Sequence, residues 1–165
     1  MVLKKNTLKS IFVMALGLVF SQTGRAIDIV NFPLDLTYTN TAAAYSAGNS
    51  GVVLNETAGG TVSYDNTLGA RCTGWDATSG KAWVTTAIST ANFHTVKVTA
   101  QGMSDATGPR DFQLDYSLNG SSWTKVADLP AKSTVTSTFG IISLPVECSF
   151  QSTLYIRIAT SSLTQ

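Results

Sequence analysis

The chain is poor in the residues that most catalytic and metal centres are built from, with one histidine and two cysteines among 165 residues. A Ser–His–Asp triad or a histidine-based metal site would have to use His94. No Gly-x-Ser-x-Gly element accompanies it, so His94 reads as a solvated or core-edge side chain. Two cysteines cannot fill a tetrahedral zinc site. Charge is scarce as well, at 13% of residues, and no cluster of Lys and Arg survives beyond the first 26 residues. Phosphate backbones need such a cluster, which argues against a nucleic-acid partner. No apolar run is long enough to span a bilayer, and no helix-length amphipathic stretch, internal repeat or long linker is visible.

The first 26 residues read as an export signal. Lys4, Lys5 and Lys9 form a positive start, Ile11 to Phe20 is an apolar run of ten, and Gly24-Arg25-Ala26 places small residues at −3 and −1. The expectation is a leader helix cleaved after Ala26, rather than an uncleaved anchor, and a secreted or cell-surface product. Residues 27–165 then hold seven basic and ten acidic side chains, a mildly acidic chain long enough for one domain. In an oxidising compartment Cys72 and Cys148 are expected to pair, which chain-entropy arguments value at about 4 kcal/mol.

Period-two alternation dominates that remainder. Phe112, Leu114 and Tyr116 alternate with Asp111, Gln113, Asp115 and Ser117, and Asn119-Gly120 follows, suited to a two-residue type I′ turn. Trp123 opens the return strand, so this stretch is predicted to be a β-hairpin. Val96, Val98 and Ala100 alternate likewise, as do Leu154, Ile156 and Ile158. Further extended stretches are predicted at 28–38, 51–55, 61–64, 82–89 and 137–144, with a polar turn at 76–81 and one helical turn at most around Ala42 to Tyr45. Short strands at such spacing define an all-β, antiparallel sandwich or barrel.

Trp75 with Trp83, Gly108-Pro109-Arg110-Asp111-Phe112, the Tyr116 to Trp123 stretch, Leu144-Pro145 and Tyr155-Ile156-Arg157-Ile158 together resemble a galactose-binding-like jelly-roll module of large secreted or surface bacterial proteins. The resemblance spans about Ala70 to Thr160. It implies a non-catalytic β-sandwich that binds carbohydrate or acts as a scaffold for neighbouring domains. Jelly rolls of this type sometimes hold a structural calcium, although no Asp-x-Asp-x cluster appears here; no cofactor is otherwise implied. Family members continue past the position of Ser161 into a loop and a final strand, whereas this sequence stops at Gln165. The expectation is therefore a truncated product or fragment, with an early strand such as Asp28 to Leu36 left unpaired along one edge.

Trp75, Trp83 and Trp123 are the candidate sugar-stacking residues, each more often core than ligand contact. Arg71 lies near Trp75 in sequence, and Arg110 adjoins the 104–109 loop, so Arg71, Trp75 and Arg110 form the candidate ligand set. Arg110 and Asp111 read more readily as a loop brace. A glycosidase would need two placed carboxylates; Asp111 and Asp115 lie about 13 Å apart along one strand, too far for that chemistry. A small secreted hydrolase is thus the weaker alternative, beside a fragment with no ligand of its own.

Overall fold

A computed structural model of the chain describes residues 12–22, 25–32, 45–46, 49, 51–57, 59–65, 69–75, 81–106, 108–130 and 135–161. Among them the strands are β1 (Phe12–Gln22), β2 (Arg25–Phe32), β3 (Tyr45–Ser46), β4 (Leu54–Glu56), β5 (Val62–Asp65) and β6 (Gly69–Cys72). Then follow β7 (Ala82–Thr85), β8 (His94–Ser104), β9 (Asp111–Ser117), β10 (Thr124–Pro130), β11 (Ser137–Ser143) and β12 (Tyr155–Thr160), with one 3₁₀ turn at Val146–Cys148. They form two antiparallel sheets. The smaller runs β10-β9-β12-β7-β4; the larger runs β11-β8-β1-β2-β3, with β6 also on β1 and β5 on β6.

The two sheets share one apolar core, as expected of a sandwich. Phe112, Leu114, Tyr116, Leu129, Ile156, Ile158, Trp83 and Leu54 come from the smaller sheet; Val30, Phe32, Ala70, Cys72, Val96, Val98 and Ala100 come from the larger. The alternation read from β8 holds along the strand, and the apolar positions read on β9 and β12 are buried, but Asp115 and Ser117 on β9 and Ala159 on β12 are buried as well. Ile156 and Ile158 lie beside Tyr116 and Leu114 within one sheet, while Val96 and Val98 belong to the other. Residues 33–44, including Pro33 and all but the last residue of the helical turn expected at Ala42 to Tyr45, lie outside the described residues, and Tyr45 itself opens β3.

Of the apolar run read as part of a leader, the residues from Phe12 onward form the strand β1 of the larger sheet in the full chain. It pairs with β8 along one edge, from Phe12↔Ser104 to Ser21↔His94, and with β6 and β2 along the other. A ten-residue apolar run with alternating large and small residues suits a buried strand as readily as a helix, and length alone does not separate them. In the full chain Asp28, Val30 and Phe32, within the strand expected to carry a bare edge, pair with Val19, Leu18 and Leu16 of β1, while residues 33–36 lie outside the described residues.

The hairpin is also built differently at its tip. Thr124 pairs with Tyr116, so residues 118–123 make a wider connection than a two-residue turn. Gly120 has a positive φ of 75°, but Asn119 is not among the non-glycine residues with positive φ, which a type I′ turn requires at both positions. Polar side chains close the tip instead. Ser117 Oγ accepts from the Asn119 and Gly120 amides, and Asn119 Oδ1 accepts from the Ser121 and Ser122 amides at 2.9 and 2.8 Å.

Leu114 is fully buried at the centre of β9. Leu114→Ala should therefore cost about 2–5 kcal/mol in urea unfolding; a change below about 0.5 kcal/mol would be inconsistent with this core.

Candidate functional site

Alternation that buries Phe112 and Leu114 turns Gln113 and Asp115 to the opposite face of the smaller sheet, and it does the same for Arg157 on β12. Register makes Arg157 the direct cross-strand partner of Asp115. The guanidinium donates from Nε to Asp115 Oδ2 at 2.8 Å, and its Nη2 lies 2.7 Å from the same oxygen. Gln113 Nε2 donates to the other carboxylate oxygen at 2.8 Å. Asp115 is thus held from both sides, and its side chain is 1% exposed against 23% for Arg157.

Trp123, brought over by the wide hairpin connection, covers the guanidinium with its ring centroid 4.3 Å from Arg157 Cζ. A cation stacked on an indole and anchored to a buried carboxylate has little rotational freedom. Tyr155 flanks the group: a Cβ on Gly120 would come within 3.2 Å of its ring. The result is a line of Gln113, Asp115, Arg157 and Trp123 across one outer sheet face. It offers an aromatic surface beside a fixed donor. Among the described residues the guanidinium reaches Asp115 through Nε and Nη2. Because Asp115 is committed to Arg157 and Gln113, it is poorly placed to act as a general acid or base.

The residues singled out in the sequence do not assemble. Trp75 is fully buried, with its ring centroid 5.9 Å from that of Phe112. A ring without exposed surface presents no face to a sugar, so Trp75 is core, and Trp83 is buried with it. Arg71 lies on β6 of the other sheet, half-buried, with Nε buried and lacking a hydrogen-bond partner among the described residues. Arg110 is exposed and donates from Nη2 to the Ala106 carbonyl at 3.1 Å, the geometry of a loop brace. The Arg157–Trp123 pair was missed because 34 residues separate its members in sequence. Trp123 was legible as a stacking candidate, whereas the only sign of Arg157 was an arginine at an outward position of a largely apolar strand.

A second feature lies at the start of β8. His94, Thr95, Leu144, Val146, Ser149 and Phe150 line a shallow hollow of about 240 Å³. Thr95 and Phe150 both hold left-handed backbone conformations, φ 59° and 57°, which are costly for a β-branched or bulky residue. Phe150 and Val146 remain 63% and 84% exposed. Among the described residues no group of three His, Cys, Asp or Glu side chains is placed to hold a metal ion.

The expected disulfide is absent. Cys72 and Cys148 are buried free thiols. Cys72 aligns through Phe12 with Ser104, at the far end of β8. Cys148 sits by the near end, where Thr95 N–H donates to Ser149 Oγ and Leu144 N–H to the Val96 carbonyl. About nine residues of extended strand, roughly 30 Å, separate those ends, far beyond disulfide reach. Burial first, and the charges of Glu56 and Glu147 respectively, push both thiols from 9.0 up to about 12.

Comparison with known proteins found no matching family, no matching curated protein and no matching solved structure.

Two measurements follow from this geometry. Neither thiol should react with an aromatic disulfide reagent at pH 8 in the folded chain, and both should react on unfolding without reductant. Since the folded values lie above the unfolded ones, their contribution is present in full below pH 9 and falls as pH rises towards 12. Separately, Asp115→Ala strands a mostly buried guanidinium and should destabilise by about 2–3 kcal/mol, less than for a fully buried pair because Arg157 is partly solvated.

Proposed function

We propose that this protein is a non-catalytic extracellular module of the galactose-binding-like jelly-roll type, and that it binds carbohydrate on the outer face of its smaller sheet. The observation that carries the proposal is Arg157, locked by the buried Asp115 and stacked under Trp123. Sugars are recognised by flat apolar surfaces that meet their C–H faces, together with fixed donors for their hydroxyls. Trp123 and Tyr155 supply the first, Arg157 and Gln113 the second. Preorganisation keeps the entropy cost of binding low, which a shallow site needs. Export of the chain rests on the leader-like sequence of residues 1–26.

A glycan array probed with folded, monomeric protein tests the proposal. Trp123→Ala should weaken any binding at least about tenfold, equivalent to about 1.4 kcal/mol. Arg157→Lys keeps the charge but loses the planar stack, and should weaken it too. An array without signal would remove carbohydrate binding and leave the scaffold role.

A further inference from the structure

The segment Phe12–Gln22 has two incompatible assignments: it is the apolar run of the leader and the central strand of the larger sheet. Its register is strict. Phe12 lies between Ser104 and Cys72, Met14 between Gly102 and Ala70, Leu16 between Ala100 and Phe32, and Leu18 between Val98 and Val30. All eight flanking residues are buried. Within the larger sheet β1 alone joins β8 and β11 to β2, β3, β5 and β6. Cleavage after Ala26 would remove β1 entirely and shorten β2 to Ile27–Phe32.

We infer that the position of β1 is a strand-acceptor slot, which processing vacates and an extended apolar segment of another polypeptide fills by β-strand addition. The inference rests on the leader reading for its vacancy, and on the observed pairing for its shape. With β1 gone, β8 keeps β11 on one edge and bares the other over His94–Ser104, opposite the bared edges of β2 and β6. Unpaired backbone beside buried Val98, Ala100, Phe32 and Ala70 is strongly unfavourable. The gap is one strand wide, about twice the 4.8 Å strand spacing from wall to wall. An intact second copy has its strands already paired and offers no free one to insert. The occupant must therefore be otherwise unfolded.

Its chemistry is set by the walls. It runs antiparallel to β8 for about nine residues, and carries large apolar side chains at alternate positions to fall in register with Val98, Ala100 and Gly102. It is uncharged throughout the buried stretch, as Phe12–Gln22 is. Intervening positions fall opposite Lys97, Thr99, Gln101 and Met103, which are half-buried or exposed, and tolerate small or polar residues.

The test begins with the full chain carrying a protease site inserted between Gln22 and Arg25, nicked after folding. The fragment bearing Phe12–Gln22 should remain bound through gel filtration. It should exchange with a labelled synthetic peptide of residues 12–22, but not with the peptide carrying Leu16→Asp and Leu18→Asp. Release of the fragment with an unchanged melting temperature would overturn the slot. In parallel, the exported protein is sequenced from its N-terminus and mixed with the same peptides. A chain starting at Ile27 that gains about 10 °C in melting temperature at a hundredfold excess over Kd, with new amide protection across His94–Ser104, is the expected result. An exported chain starting at Ile27 that ignores the peptide overturns the inference while leaving the leader intact. One still starting at Met1 overturns the leader reading and the vacancy together, while the nicked chain reports on the slot separately.

Discussion

Backbone pairing along both edges of β1 is the constraint on which the larger sheet depends. A central strand satisfies two rows of N–H and C=O groups at once, and here it also joins two groups of strands that do not pair with each other among the described residues. Each of its alternate positions sits between buried residues on both sides, so a one-residue slip would misplace the whole row. Stability of the sandwich and occupancy of that position are therefore one question. The smaller sheet does not share the dependence, since β10, β9, β12, β7 and β4 pair only with one another.

That independence matters for the outer face. Asp115, Arg157 and Gln113 stand on β9 and β12, adjacent strands inside the smaller sheet, and the rigid pairing between them sets the ion-pair geometry. Burial of Asp115 makes its partners obligatory, because an unpaired carboxylate there is costly. Trp123 is placed by the hairpin tip, whose Ser117 and Asn119 side chains take up the amides that a tighter turn would have left to the ladder. Polar side chains thus hold the aromatic group over the guanidinium.

The thiols illustrate how an expectation from cysteine count can be overruled by geometry. Oxidising surroundings favour a disulfide between any two cysteines that can meet. Cys72 and Cys148 cannot meet, because β8 stands between them lengthwise. Their burial also raises both thiols well above neutrality, which keeps them unreactive in the folded chain. Tyr116 shows the milder case of a core-edge group: its hydroxyl donates to Glu147 Oε1 at 2.6 Å, holding that carboxyl below its usual range.

Period-two alternation alone determined the all-β class, the faces of β8, β9 and β12, and the burial of Phe112, Leu114, Ile156 and Ile158, because side-chain direction in a strand follows from local backbone geometry. Asn119-Gly120 was enough to place a reversal there, for the same local reason. Tertiary structure decided what depends on register between distant segments. It made the Phe12–Gln22 run a strand by supplying partners on both edges, separated Cys72 from Cys148, sank Trp75 into the core, and brought Arg157 to Asp115 and Trp123. None of these has a local signature, since each depends on which strands become neighbours, and neighbours are chosen by the packing of the whole chain.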